Sequence, residues 1–126
     1  MKTALDLVAS AKQFIHEVSV EEADTVIKQA DVLIDVRESD EYYSGHIPGA
    51  INIPRGLLEF RLSNDEALNR RDLNIVLFCK NSGRSALSAQ SLKEMGYLHV
   101  TSIAGGFDAW QEANKPIIVP SLPDFG

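Results

Sequence analysis

Residues 75–85 read Ile75-Val76-Leu77-Phe78-Cys79-Lys80-Asn81-Ser82-Gly83-Arg84-Ser85, and this stretch decides the fold. Four consecutive apolar residues followed by a polar loop suit a strand covered on both faces, as in a parallel sheet. From Ser85 to Met95 the pattern turns helical, with Gly96 placed to end the helix in a left-handed conformation. The same alternation runs through the chain. Val32-Leu33-Ile34-Asp35-Val36, Ala50-Ile51-Asn52-Ile53 and Val100-Thr101-Ser102-Ile103 read as strands. Between them fall helices over 3–15, over 20–30, around 40–44 and within 56–72. A last helix follows Gly105-Gly106, with Phe107, Trp110 and Ala113 on one face. Ser19 and Glu22 stand at capping-box spacing before the second helix. Strands alternating with helices imply an open α/β sheet, mainly parallel. Ligands of such sheets bind outside the carboxyl ends of the strands. Asp35-Val36-Arg37, Cys79 and Ala104-Gly105-Gly106 are therefore expected on one edge.

The chain has 126 residues, enough for one domain with a real core. Eighteen acidic residues against twelve basic ones give a net charge of −6. That balance argues against sequence-independent binding to nucleic acid or to an anionic membrane. It leaves room for a small anionic ligand, because a local field can oppose the global one. A single cysteine excludes an internal disulfide and any multi-cysteine metal site. No apolar run approaches the roughly 18 residues of a membrane span. The amino terminus, interrupted by Asp6, lacks a signal-like stretch, so a cytoplasmic location is expected.

A loop ending in a helix amino terminus turns several backbone amides inward and forms an anion-binding nest. The helix dipole, Lys80 and Arg84 add positive charge, so the setting favours a reactive thiolate at Cys79. Gly83 can supply a positive φ, and Ser85 can cap the helix. A lone cysteine is more often a small buried hydrophobe. A core cysteine, however, does not require Lys80, Asn81, Ser82, Gly83 and Arg84 after it.

Three ordered motifs carry a resemblance to a known family. The first is Asp35-Val36-Arg37-Glu38 with Glu41-Tyr42 and Gly45-His46-Ile47-Pro48-Gly49-Ala50-Ile51-Asn52-Ile53-Pro54. The second is Cys79 to Ser85, and the third is Gly105-Gly106-Phe107-Asp108-Ala109-Trp110. Over residues 16–116 the chain resembles single-domain rhodanese-like proteins. Residues 1–15 fall outside as a helical extension, and residues 117–126 as an extended, proline-bearing tail. The resemblance implies a five-stranded, mainly parallel sheet with helices on both faces. It also implies a sulfurtransferase of the thiosulfate type that needs no cofactor or metal. The Cys79 thiolate takes the outer sulfur of a small anionic donor such as thiosulfate, sulfite leaves, and the persulfide passes sulfur to a thiol or protein acceptor. Lys80, Asn81, Ser82, Gly83, Arg84 and Ser85 would bind the donor. Asp35 and Arg37 would support the loop, most simply as an ion pair. A persulfide carrier without turnover of its own is the alternative. A phosphatase or arsenate reductase is a third reading, disfavoured because their loops run one residue longer than Cys79 to Arg84. One departure is that many members with this spacing carry glycine where this chain has Ser82, with glycine following at 83.

The remaining candidates read as structural. His46 is expected to make a structural hydrogen bond rather than act as an acid, and Trp110 to anchor the core. His16 and His99 have no partner motif. Arg55 and Arg61 suit a solvated face, although they could line the mouth of the site. The first helix is expected to dock on the body rather than to mediate dimerisation.

Overall fold

The computed structural model describes residues 1–121. Among these, five strands form one parallel sheet: β1 (His16–Val18), β2 (Val32–Asp35), β3 (Ile51–Asn52), β4 (Asn74–Phe78) and β5 (His99–Ile103). Their spatial order is β1-β5-β4-β2-β3. The helices are α1 (Ala4–Lys12), α2 (Val20–Gln29), α3 (Ser39–Ser44), α4 (Leu58–Asn64, entered through a 3-10 turn at Arg55–Leu57), α5 (Gly83–Glu94) and α6 (Gly106–Glu112). No helix among the described residues is long and apolar enough to cross a membrane.

The continuous apolar runs are explained by burial on both sheet faces. Along β4, Ile75, Leu77 and the following Cys79 face one core, with Leu58, Leu62, Ala89 and Leu92. Val76 and Phe78 face the other, with Val18, Ala23, Ile103, Phe107 and Trp110. Period-two alternation thus divides one apolar strand between two cores. Each large side chain removed from water contributes about 1.5–3 kcal/mol. Trp110 anchors the second core as expected, and its indole N–H donates to the Pro116 carbonyl at 2.8 Å.

Local chemistry sets the element ends. Gly96 adopts φ +95° after α5; its N–H donates to the Lys93 carbonyl, and that of Tyr97 to the Leu92 carbonyl. This paired pattern closes the orphan carbonyls of the last turn. Thr3 and Asp6 form a reciprocal capping box that opens α1. The expected box at Ser19 and Glu22 is not made. The Ser19 hydroxyl instead points to the Glu22 carboxylate at 3.5 Å, and the Glu22 amide is satisfied by the Ser19 carbonyl.

Two boundaries differ from the sequence reading. The first helix ends at Lys12 rather than at residue 15, and His16–Val18, which carry no strand expectation, form an edge strand beside β5. Three residues with one buried side chain show too little periodicity to be told from a helix end. The tail begins extended and pairs with the body through an antiparallel bridge between His46 and Ile118. Its last part, residues 122–126, lies outside the described residues.

Candidate active site

Because the sheet is parallel, β2, β4 and β5 end on one edge, as the strand-end rule requires. Asp35 pairs in register with Phe78, so Cys79 leaves the sheet beside the Asp35–Arg37 turn. Cys79 is fully buried. Its sulfur accepts the Ser85 N–H at 3.4 Å, and the thiol lies 3.5 Å from the Ser85 hydroxyl.

Ser85 is not the helix cap. It is the third residue of α5, fully buried, and Ser82 occupies the position before the helix. The Ser85 hydroxyl donates to the Ser82 carbonyl at 3.3 Å and accepts from Ser102 of β5 at 2.8 Å. A buried chain of hydroxyls therefore joins two elements to the sulfur. In the sequence Ser102 reads only as a strand residue; a hydroxyl at the buried end of an apolar strand is the signal of its place in the site. Gly83 does not use a positive φ; it begins the helix.

The positive φ angles lie across the site, at Gly105 (+78°) and Gly106 (+55°). A Cβ on Gly106 would sit 2.4 Å from the carbonyl oxygens of Cys79 and Asn81 and 2.9 Å from that of Lys80. Next to it, the Phe107 N–H donates to the Cys79 carbonyl at 2.8 Å, and the Asp108 N–H to the Lys80 carbonyl at 2.9 Å. Three loop carbonyls thus converge on the start of α6. Peptide planarity then turns the N–H groups of Lys80, Asn81 and Ser82 away from it. Gly106 serves the cysteine loop by permitting this approach, whereas a Cβ on Gly105 would meet Ala109 of α6 at 2.6 Å.

The loop is more self-satisfied than an open nest. The Asn81 carboxamide oxygen accepts the Ser82 N–H at 2.7 Å and the Gly83 N–H at 3.2 Å. The Lys80 ammonium is paired with Asp108 at 2.8 Å. Arg84 makes a two-pronged pair with Glu41, at 2.7 and 3.0 Å. The Arg84 hydrogen bond holds the Glu41 carboxyl below its usual range, and Glu41 raises Arg84 in turn. Asp108 and Glu41 escaped the residue-by-residue reading because charge partners at such separations leave no sequence pattern. Beside these pairs lies an open cleft of about 330 Å3, lined by Arg37, Glu41, Lys80, Phe107, Asp108 and Gln111 among others. A larger cavity of about 520 Å3 lies at the amino ends of β1 and β5, on the opposite edge from the cysteine.

Asp35 and Arg37 form the expected ion pair, with both side chains buried. The Arg37 guanidinium bonds both Asp35 oxygens and the Gly45 carbonyl, and its carbon lies 4.3 Å from the Phe107 ring centroid. Asn52 ties the same turn by donating to the Asp35 and Arg37 carbonyls. Removing one member of a buried pair leaves an uncompensated charge, at a cost of about 3–5 kcal/mol. Arg37→Ala is accordingly expected to lower unfolding stability by that amount in urea titrations. Arg37→Lys should recover only part of it, because an ammonium lacks the planar fork. His46 stacks on Tyr42 at 3.8 Å and lies 3.1 Å from the Tyr42 carbonyl, which is the structural role expected of it. Arg55 and Arg61 pair with Glu59 and Asp65 on their own helical segment.

The rhodanese-like domain model matches residues 19–113. The chain belongs to the rhodanese-like family. It is 42% identical over 78 residues to the uncharacterized Bacillus subtilis protein YqhL, covering 62% of this chain and 59% of that one. It thus spans less than two thirds of that relative. It is 32% identical over 89 residues to a sulfurtransferase of Allochromatium vinosum, covering 71% and 79%. Among solved structures, a Rhodopseudomonas palustris protein described as a possible tyrosine phosphatase superposes with a TM-score of 0.85. That match has 30% identity and covers 94% and 96% of the two chains.

Proposed function

We propose that the protein is a sulfurtransferase that carries sulfane sulfur as a persulfide on Cys79. The observation that carries this reading is the position of the Cys79 sulfur. It lies at the carboxyl edge of the central strand and is hydrogen-bonded by the Ser85 amide at the start of α5. In the first half-reaction the thiolate attacks the outer sulfur of thiosulfate or another small sulfane donor. A new S–S bond forms as the donor bond breaks, and sulfite leaves with the electron pair. In the second, an acceptor thiolate attacks the outer sulfur of the persulfide, and Cys79 recovers its thiolate. The thiol requires a reducing compartment, which suits a cytoplasmic location. The six-residue span from Cys79 to Arg84 supports sulfur over the larger phosphoryl group. The test is sulfite release from thiosulfate with a thiol acceptor, measured beside phosphate release from an aryl phosphate. Phosphate release without sulfite release would reverse the assignment.

Asp35 and Arg37 brace the loop, and Arg84 meets the donor by exchanging Glu41 for the donor's anionic end. Glu41→Gln should therefore lower KM for thiosulfate by about threefold, and Arg84→Ala should raise it by about tenfold. Those are the scales of a weakened and a lost charge-assisted contact. The pair also has a pH signature. A carboxyl lowered on folding stabilises the fold above its unfolded pKa, and that contribution is lost as pH falls through the lowered folded value. Acidification below the ordinary carboxylate range, through the lowered folded value, should thus narrow the KM difference between wild type and Glu41→Gln. An undiminished difference through that range would remove Glu41 from control of Arg84.

A further inference from the structure

The amino-terminal helix lies outside the residues that match the family model, yet it reaches the cysteine loop. The Lys12 ammonium, at the last turn of α1, donates to the Ser82 hydroxyl at 2.7 Å. A Val8 methyl lies against Gly83, 3.6 Å from where a Cβ would stand. Behind Lys12, the Glu17 carboxylate lies 3.6 Å away. Its Oε2 is buried and makes no hydrogen bond. Lys12 is thus held between a buried carboxylate oxygen of β1 and the loop. Ala11 is fully buried, and the Lys93 ammonium of α5 donates to the Phe14 carbonyl at 2.7 Å, which fixes the end of this segment.

Ser82 is well placed to pass this contact on. Its carbonyl accepts the Ala86 N–H at 2.9 Å and the Ser85 hydroxyl at 3.3 Å. The Ser85 amide bonds the Cys79 sulfur. The connected path is Lys12, Ser82, Ser85, Cys79. We propose that α1 is a strut for the cysteine loop and that Lys12 is a positioning residue for sulfur transfer. It acts on Cys79 by fixing Ser82 rather than by touching the donor. This inference rests on the sulfurtransferase reading for its effect on rate, but its mechanical part stands on the loop alone. Ser82 supplies the hydroxyl that the strut engages.

The experiment uses the full chain. Lys12→Met removes the charge and the hydrogen bond, and Lys12→Arg keeps a donor there. Formation of the Cys79 persulfide from thiosulfate is followed by intact mass, and amide hydrogen exchange is followed over residues 79–86. Lys12→Met should slow persulfide formation by about tenfold, the scale of one hydrogen bond to a charged group. It should also speed exchange of the loop amides, while Lys12→Arg restores both. A general loss of stability would raise exchange throughout the sheet instead. Because Lys12→Met also bares Glu17, Ser82→Ala is the second variant. It cuts the same link with the Lys12–Glu17 pair left in place. It should reproduce both effects, and combining it with Lys12→Met should add nothing further. Wild-type loading and loop exchange in Lys12→Met or Ser82→Ala would overturn the strut. If the wild type does not load at all, the sulfurtransferase reading fails, while loop exchange still decides the strut.

Discussion

Cys79→Ser should lose sulfite release from thiosulfate down to the uncatalysed background while keeping the fold. The reaction needs an atom that is nucleophilic at neutral pH and that can hold a second sulfur. A serine hydroxyl is neither, and among the described residues the hydrogen-bond partners at this position are the Ser85 amide and hydroxyl, neither of them a base that could activate one. The fold should survive because the replacement is smaller and can accept the same Ser85 N–H. Its melting temperature should stay within about 4 °C of the wild type, a shift on the order of 1 kcal/mol. With one cysteine in the chain, any turnover remaining in the serine protein has no thiol to support it.

Gly106→Ala should be the most damaging glycine-to-alanine change among the described residues. The new Cβ would lie 2.4 Å from two loop carbonyl oxygens, and the backbone there is at φ +55°. The left-handed conformation alone costs a side chain about 1–2 kcal/mol. The clash cannot be relieved by a rotamer, because the opposing atoms are backbone. Either α6 moves or the cysteine loop moves. The total loss should be about 3 kcal/mol or more, read by urea titration. In the fraction still folded, sulfite release should fall by about a hundredfold, the effect of misplacing reacting groups by an ångström. Gly83→Ala is the control. It lies in the same loop, but its Cβ would meet Val8 at 3.6 Å and Asn81 at 3.9 Å, both ordinary contacts. Its backbone is already helical, so alanine there should be neutral or stabilising by up to about 1 kcal/mol. Equal damage at Gly83 and Gly106 would show that the close approach of Gly106 to the loop carbonyls does not set the cost.

The contrast between these glycines shows what the sequence could yield. The β4 run, the helix closed by Gly96 and the alternation around them were legible, because periodicity and capping are local. The position of Cys79 at the carboxyl edge followed from the parallel sheet. The Asp35–Arg37 pair was legible because its members are two residues apart. Which glycine carries the positive φ was not, because that depends on α6 meeting the loop across the sheet. The same holds for Glu41 with Arg84 and for Asp108 with Lys80, which turn two expected free charges into paired ones. Ser85 reads locally as a cap, whereas its partners Cys79, just past β4, and Ser102 of β5 are distant in sequence or set by the sheet. Lys12 was invisible as a site residue: nothing near it in the chain points to Ser82. Local rules thus place the cysteine, and tertiary contacts decide how its loop is held.

The most direct test of the account is the intact mass of the protein after incubation with thiosulfate, with and without a reductant, for wild type and Cys79→Ser. The wild type should gain the mass of one sulfur atom, reductant should remove it, and Cys79→Ser should gain nothing. A wild-type mass that stays unchanged at a donor concentration that loads a known sulfurtransferase, or an equal gain in Cys79→Ser, would contradict it.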